Sequence, residues 1–206
     1  AVVHLIHGFG EHSRRYLHMI DAFQEAGFVV YADDHIGHGK TAFDAGNLGD
    51  PGTQGLDGYL TYLKDEKSLH DIAVEDYPDL PYFMFGHSWG SMLARCYAAH
   101  YGEDIVGLML CGLCSQWKGC EDAYENPEFR AAYEADPYQP AGEWFDKVFC
   151  GMTDRIENPN SPADWIANDP NVVADHAGDM FNTFDTTIEL PWDFVQLYHF
   201  IESPEW

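Results

Sequence analysis

The pentapeptide Gly86-His87-Ser88-Trp89-Gly90 constrains the fold more than any other part of the sequence. It follows the apolar run 82–85, which predicts a buried strand, and it precedes residues 91–100, which predict a helix with small residues on one face. A serine between two glycines at such a junction is typical of a nucleophile elbow, because the glycines leave room for neighbouring chain at a sharp turn. The pattern predicts Ser88 as a nucleophile at the end of a strand. The alternative is a glycine-rich strand-to-helix turn with an incidental serine.

A second glycine-rich turn follows the apolar strand predicted over residues 2–6. In esterases with a nucleophile elbow, a loop of this kind supplies one of the two backbone N–H groups that stabilise the oxyanion. We expect the amide of Phe9 to act together with the amide of Trp89, which lies at the N-terminal end of the helix after Ser88. A dinucleotide-binding turn is the rival interpretation, and it fails because Ser13 stands where the third glycine is required.

Strand and helix patterns alternate along the first half of the chain, which predicts a parallel sheet with helices on both faces. The segment 41–57 is rich in glycine and aspartate and predicts a loop. The strands are predicted near 2–6, 28–32, 82–86 and 105–111, and the helices near 15–26, 58–76 and 90–101.

Three sequence blocks together resemble the monoacylglycerol lipase and lysophospholipase branch of the α/β-hydrolases, the serine aminopeptidase-like family. They are His7–Tyr16, Asp34–Thr41 and Gly86–Gly90, in the order that the family has them. The resemblance covers most of residues 1–114. It implies an α/β-hydrolase fold, with a mostly parallel sheet flanked by helices and a helical cap over the acyl pocket. By the same resemblance, the chain is expected to be truncated at both ends, with the fold incomplete at the C-terminus.

Composition changes near residue 114, since 15 of the 19 glycines precede it and five of the six tryptophans follow it. The sequence pattern of the second part predicts short helices that are interrupted by prolines. We therefore expect a partial hydrolase core over residues 1–114 and a helical cap over residues 115–206. The alternative for the second part is a plain helical subdomain in which the tryptophans only form a core.

The resemblance also implies roles for individual residues. Ser88 would be the nucleophile, and the amides of Phe9 and Trp89 would form the oxyanion hole. Glu11 and Arg15 resemble the pair that braces the oxyanion loop and faces the glycerol end of the substrate. Their alternative is a local surface ion pair of little energetic value. Trp89 stands where the family more often has methionine, which is expected to change the floor of the acyl pocket.

The catalytic acid and histidine of this family follow the nucleophile on loops after later strands. After residue 114 the chain offers only His176 and His199, and neither has that sequence setting. The predicted strand near 105–111 is apolar on both faces, yet it would lie at the edge of the sheet. We therefore expect the complete protein to extend by about 60–80 residues, enough for two more strand–helix units. Residues 1–206 alone are expected to aggregate and to hydrolyse esters negligibly.

Charge and composition limit the partners. The formal net charge is −25, from 35 acidic and 10 basic residues, which disfavours nucleic acid and anionic membranes. No apolar stretch reaches the about 20 residues that span a bilayer, so stable membrane insertion is not expected. Cys111 and Cys114 have the spacing of a zinc or redox motif, but no second pair with ligand spacing follows. The five cysteines are therefore expected to be free thiols in the cytoplasm.

No cofactor and no metal are predicted, since His35 and His38 have no third ligand nearby in the sequence and more simply build a turn. The function expected is a serine ester hydrolase that cleaves monoacylglycerol or lysophospholipid through an acyl-enzyme, with a small lipid or ester as its partner. The alternatives are another carboxylesterase or acyltransferase of the same fold, and a non-catalytic relative that binds an acyl ligand.

Overall fold

The structure is a computed structural model and describes residues 1–204 and residue 206. Short 3₁₀ turns lie at Ser13–Tyr16 and Gly102–Asp104. The strands are β1 (Val2–Ile6), β2 (Val29–Ala32), β3 (Tyr82–His87) and β4 (Gly107–Cys111). The helices are α1 (Leu17–Glu25), α2 (Gly39–Ala45), α3 (Tyr59–Asp76), α4 (Trp89–Tyr101), α5 (Lys118–Tyr124), α6 (Pro127–Ala135), α7 (Glu143–Val148), α8 (Pro170–Gly178) and α9 (Glu189–Glu202).

The four strands form one parallel sheet in the order β2-β1-β3-β4. All five residues of β1 are buried, as is typical of a parallel strand covered on both faces. Strand β4 lies at the edge of the described sheet, and its residues Met109 and Leu110 are 37% and 38% exposed. The four predicted strands and the edge position of the last one therefore agree with the structure. The carboxyl ends of β1, β3 and β4 lie side by side, and this is where the candidate site forms.

One prediction about local structure is wrong. The segment 41–57 was expected to be a loop, but its first residues complete helix α2. The helix follows the extended residue His38 and ends at Gly46, which has φ 75°. A glycine in the left-handed region closes a helix at little steric cost, because it has no Cβ. The glycine that suggested a loop is therefore the C-terminal cap of a helix.

The part of the chain after residue 114 is helical where it has regular structure, with α5 to α9. Helices α6 and α8 each begin with a proline, at Pro127 and Pro170, next to a side-chain cap from Asn126 or Asp169. Proline suits this first position because its missing N–H has no partner within the helix. Helix α9 is largely buried and packs against α3, α4 and α5. Because α9 contacts elements on both sides of residue 114, the division into two parts stays a prediction.

Candidate active site

Ser88 forms the turn between β3 and α4, with φ 53° and ψ −118°. A residue with a side chain occupies such a backbone conformation at a cost of about 1–3 kcal/mol, so the surroundings must hold it. Its N–H donates to the Cys111 carbonyl of β4 at 2.9 Å. Its own carbonyl accepts from the backbone N–H of Ser91 at 2.8 Å and from the Ser91 hydroxyl at 2.6 Å. The turn is therefore fixed by β4 on one side and by the first turn of α4 on the other.

The two glycines of the pentapeptide are required by close backbone approach. A Cβ built on Gly86 would lie 2.3 Å from the Gly90 carbonyl oxygen. A Cβ built on Gly90 would lie 2.2 Å from the carbonyl oxygen of Ile6 in β1. Neither contact is possible for a real side chain, so both positions accept only glycine unless the turn moves. This is the physical basis of the motif that the sequence displays.

The glycine-rich turn after β1 lies directly against Ser88, since a Cβ on Gly8 would lie 3.1 Å from the Cβ of Ser88. Phe9 follows Gly8, and both Phe9 and Ser88 line the same cavity. Trp89 is the first residue of α4, where N–H groups have no partner within the helix. In the described part of the chain, neither the Phe9 nor the Trp89 amide donates a hydrogen bond. Both amides are therefore free to donate to a group bound at Ser88.

Glu11 holds this turn in place. Its Oε1 accepts from the backbone N–H of Gly8 at 2.5 Å, from the Tyr16 hydroxyl at 2.5 Å and from His87 Nδ1 at 3.0 Å. Burial raises the pKa of the Glu11 carboxyl, but the hydrogen bonds from His87, Tyr16 and Gly8 outweigh burial and bring the pKa below its usual value. Glu11 is therefore an anion that connects the turn to the helical segment after it and to the residue before Ser88.

Buried histidines hold the same turn from the other side. His38 Nδ1 donates to the Ile36 carbonyl at 3.1 Å, and its Nε2 accepts from the backbone N–H of Gly10 at 3.2 Å. His35 Nε2 donates to the His7 carbonyl at 3.1 Å. Burial, together with the neighbouring His35, lowers the pKa of His38 to about 3, so the ring is neutral. These contacts agree with the expectation that His35 and His38 build a turn.

Arg15 does not form an ion pair with Glu11, so the structure does not contain the local ion pair that was the alternative for these two residues. The Arg15 guanidinium lies 3.0 Å from the carboxylate of Asp175 in α8 and 3.5 Å from that of Asp179. His12 Nε2 also contacts Asp179, at 2.9 Å. Of the two residues expected to brace the turn, Glu11 contacts it directly, whereas Arg15 connects the segment after the turn to α8. The partners of Arg15 are about 160 positions away in the chain, and no local pattern could have shown them.

The side chain of Trp89 is fully buried and packs below Phe9, with ring centroids 5.5 Å apart, and against Tyr62 at 4.9 Å. It lines neither of the two cavities beside Ser88 that the described residues enclose. The expectation that Trp89 shapes the pocket floor is therefore not met by direct contact. Its side chain instead supports Phe9 from beneath.

Two adjoining cavities of about 360 and 700 Å³ open beside Ser88. Ser88 and Phe9 line both of them, together with aromatic residues from the part of the chain after residue 114. The smaller cavity is the more apolar, and its far wall consists of rings from α7 and the segments around it. The aromatic residues that line it are Phe9, Trp117, Phe145, Phe149, Trp165 and Phe184. This is the composition expected of a site for an apolar chain.

His176 of α8 lines both cavities. Burial lowers the pKa of His176, and the positive charge of Arg15 lowers it further. His199 is exposed and stacks on Tyr124 with ring centroids 3.5 Å apart. Within residues 1–204 and 206, no histidine and no carboxylate forms a hydrogen bond with the Ser88 hydroxyl. Cys114 lines the larger cavity together with Ser88, and burial raises the pKa of its thiol to about 11.

Comparison with known proteins places the chain among hydrolases. Residues 1–205 match the family model described as serine aminopeptidase, S33. The monoacylglycerol lipase of Mycolicibacterium smegmatis is 31% identical over 179 residues, which are 87% of this chain and 55% of that protein. This chain therefore spans about half the length of that relative. Among the residues that the structure describes, no helix is long and apolar enough to cross a membrane.

Two solved structures are similar over almost the whole chain. A thermostable carboxyl esterase from Bacillus coagulans, in complex with glycerol, has a TM-score of 0.91 and 50% identity, and the match covers 98% of this chain and 64% of that one. A lipase in an open form has a TM-score of 0.92 and 39% identity, and the match covers 100% of this chain and 66% of that one. These similarities confirm the predicted α/β-hydrolase fold.

Proposed function

Since the chain belongs to the serine aminopeptidase S33 family of hydrolases, we propose that it acts as a serine ester hydrolase on monoacylglycerol or lysophospholipid. The observation that carries the proposal is the strained turn at Ser88, held next to a glycine-rich turn whose amide is free to donate. Backbone strain of this kind persists only where the surrounding structure maintains it, and it is concentrated at functional sites. A lipase or esterase activity also agrees with the names of the similar proteins.

In the proposed reaction, the Ser88 hydroxyl oxygen attacks the ester carbonyl carbon while a general base takes its proton. The carbonyl oxygen becomes an anion and accepts hydrogen bonds from the amides of Phe9 and Trp89, the second of which lies at the positive end of the α4 dipole. Collapse of this intermediate breaks the bond to the alcohol and leaves an acyl group on Ser88. Water then attacks the acyl carbon and releases the fatty acid.

The shape and chemistry of the site favour a substrate with a single acyl chain. The smaller cavity, of about 360 Å³, lies at the lower end of the range for small-molecule sites and is mostly aromatic. The larger cavity is lined by polar side chains from Glu11, His87 and Ser115, which suit a glycerol group. Lys118 and Arg155 also line it, and their positive charges suit the phosphate of a phosphoglycerol group. The described residues enclose one mostly aromatic cavity at this site, which suits one acyl chain. We therefore propose that monoacylglycerols are hydrolysed faster than triacylglycerols.

The surface charge and the cysteines bear on where such a protein works. A formal net charge of −25 repels anionic surfaces, so the substrate is proposed to arrive as dispersed monomers or neutral micelles. All five cysteines are free thiols in the structure. Free thiols persist in a reducing compartment, and we propose the cytoplasm.

Labelling with a fluorophosphonate tests the nucleophile, because the reagent forms a stable adduct only with an activated serine. On the full-length protein we expect one adduct, on the peptide that contains Ser88, and no adduct after Ser88→Ala. Ser115→Ala is the matched control, since Ser115 lines the larger cavity together with Ser88. Labelling that survives Ser88→Ala in a folded variant would overturn the assignment.

Hydrolysis rates of monoolein and triolein, both dispersed in the same detergent, test the substrate class. We expect the rate with monoolein to be the higher. Comparable rates would refute the single-chain site while leaving the nucleophile assignment intact, so the two parts of the proposal are tested separately.

A further inference from the structure

A second cluster of polar side chains lies inside the fold, away from Ser88. It consists of His4 in the middle of β1, Asp33 just after β2 and Glu66 in α3. Each of the three offers one ligand atom, and these atoms lie within 4.8 Å of one another. His4 and Glu66 are 0% exposed, and Asp33 is half-buried. Neither cavity beside Ser88 is lined by any of the three.

The negative charge of this cluster faces histidine side chains, His4 and His35, but no lysine or arginine in the described part of the chain. Glu66 lies close enough to Asp33 and Asp65 for their charges to interact. In the described part of the chain, no lysine or arginine lies within ion-pair distance of these three carboxylates. Burying carboxylates costs several kcal/mol unless they are paired or bind a metal ion. The cluster is therefore completed either by a proton on Glu66, whose pKa burial raises well above its usual value, or by a bound cation.

Hydrogen bonds among the side chains do not satisfy the cluster either. His4 Nε2 lies 2.7 Å from Glu66 Oε2. His35 uses its Nε2–H for the His7 carbonyl, so a neutral His35 presents a lone pair to Glu66 Oε1 at 3.3 Å. No well-directed hydrogen bond is formed by His4 Nε2, Asp33 Oδ1 or either oxygen of Glu66. One proton on Glu66 could satisfy one of these contacts and would leave Asp33 Oδ1 without a partner.

We propose that His4 Nε2 and the carboxylates of Asp33 and Glu66 bind one divalent transition-metal ion, of which Zn²⁺ is the representative. Two carboxylates neutralise its double charge, and the single imidazole favours zinc and its neighbours over Mg²⁺ and Ca²⁺, which prefer oxygen ligands alone. The Tyr82 hydroxyl contacts His4 Nδ1 at 2.9 Å, and such a contact orients a metal-binding imidazole.

The bound ion joins three elements that are distant in sequence, namely β1, the end of β2 and α3. Its role is structural, because none of its ligands contacts Ser88 or the cavities beside it. This inference does not depend on the proposed function. It departs from the sequence prediction of no metal, since His4 lies in an apolar run and its partners are 29 and 62 residues further along the chain. Only the fold brings the three side chains together.

Metal analysis of the purified protein tests the site. The protein is treated with EDTA, loaded with Zn²⁺ and freed of unbound ion by gel filtration. Its zinc content is then measured by inductively coupled plasma mass spectrometry. We expect about one equivalent per chain. At a free concentration of about 100 times Kd, Zn²⁺ is expected to raise Tm by about 5–10 °C relative to the EDTA-treated protein. Protein that retains no Zn²⁺, with an unchanged Tm, would overturn the proposal.

Two variants separate this site from incidental binding at the acidic surface. Asp33→Asn removes one half-buried ligand and is expected to weaken Zn²⁺ binding at least about 10-fold. Mutation of a residue that only hydrogen-bonds to a metal ligand already lowers metal affinity by about that factor. Asp79→Asn makes the same change on an exposed residue and is expected to bind Zn²⁺ like the wild type. Equal binding by the two variants would mean that the ion sits elsewhere.

The visible absorption spectrum of bound Co²⁺ tests the site in the wild-type protein, so this test does not depend on whether a variant folds. Bound to one nitrogen and several oxygens in a low-symmetry site, Co²⁺ gives visible absorption bands that the hexahydrated ion shows only weakly. We expect these bands to saturate at one equivalent in the wild-type protein and to disappear when Zn²⁺ is added. A spectrum that stays that of the hydrated ion would contradict the proposal.

Discussion

The glycine-rich turn after β1 is predicted to depend on Glu11 more than on any other side chain. Replacing Glu11 with alanine leaves two buried donors without an acceptor, the Gly8 N–H and the Tyr16 hydroxyl. Each unsatisfied buried donor costs about 1–3 kcal/mol, so the free energy of unfolding should fall by about 2–6 kcal/mol. His87 adds little, because its side chain is 38% exposed and can turn to water.

Glu11→Gln is the conservative variant, because it keeps one carbonyl oxygen that can accept these hydrogen bonds, while it removes the charge and replaces the other oxygen with an NH2 group. Hydrogen bonds to charged groups contribute about 1 kcal/mol more than neutral ones, so the expected loss is about 1–2 kcal/mol for the two buried donors. Urea unfolding followed by tryptophan fluorescence measures both variants. Glu25→Ala, on the exposed end of α1, is the control and should change stability by less than about 0.5 kcal/mol.

The pH dependence of the free energy of unfolding is an independent test of the hydrogen bonds that Glu11 accepts. Because the pKa of Glu11 in the folded protein lies below its ordinary value of 4.5, the carboxylate stabilises the fold fully above pH 4.5. That stabilisation is lost as pH falls through the lower, folded-state pKa. The difference in stability between wild type and Glu11→Gln should therefore shrink in acid. A difference that stays constant below pH 4.5, or a loss under about 1 kcal/mol for Glu11→Ala, would refute the bracing role.

Other changes probe the elbow and the connection to α8. Gly90→Ala is expected to abolish fluorophosphonate labelling and to destabilise the fold by about 1–3 kcal/mol, because its Cβ would lie 2.2 Å from the Ile6 carbonyl oxygen. Gly102→Ala, whose Cβ meets nothing within 4 Å, should keep both properties, and equal behaviour of the two variants would contradict the steric argument. Asp179→Asn weakens the contacts with His12 and Arg15, so the free energy of unfolding should fall by about 1 kcal/mol. The amide hydrogens of α8 should also exchange faster with solvent. Unchanged exchange in α8 would show that these contacts do not hold the helix in place.

The sequence predicts the elbow well because the constraint is local. Gly86 and Gly90 are required by backbone contacts within the strand–turn–helix unit and with β1, and the motif records that requirement directly. The wrong prediction of a loop after residue 41 has a local cause as well. Glycine marks both loops and helix ends, and Gly46 turned out to cap α2.

What the sequence could not predict are contacts between distant parts of the chain. Arg15 forms ion pairs with carboxylates in and just after α8, and Glu66 contacts His4, which lies 62 positions earlier in the chain. An amphipathic pattern predicts which face of a strand or helix is buried. It does not predict which other element a histidine in that strand or a glutamate on that helix will contact. The proximity of Cys114 to Ser88 has the same origin, since it depends on the pairing of β3 with β4.

The central claim is that Ser88 attacks an ester whose oxyanion is held by two backbone amides. A crystal structure of the full-length protein after reaction with an alkyl fluorophosphonate tests it most directly. We predict a phosphorus bonded to Ser88 Oγ, with one phosphonyl oxygen about 2.7–3.1 Å from the amide nitrogens of both Phe9 and Trp89. A phosphorus on any other residue, or a phosphonyl oxygen that points away from these two amides, would contradict the account.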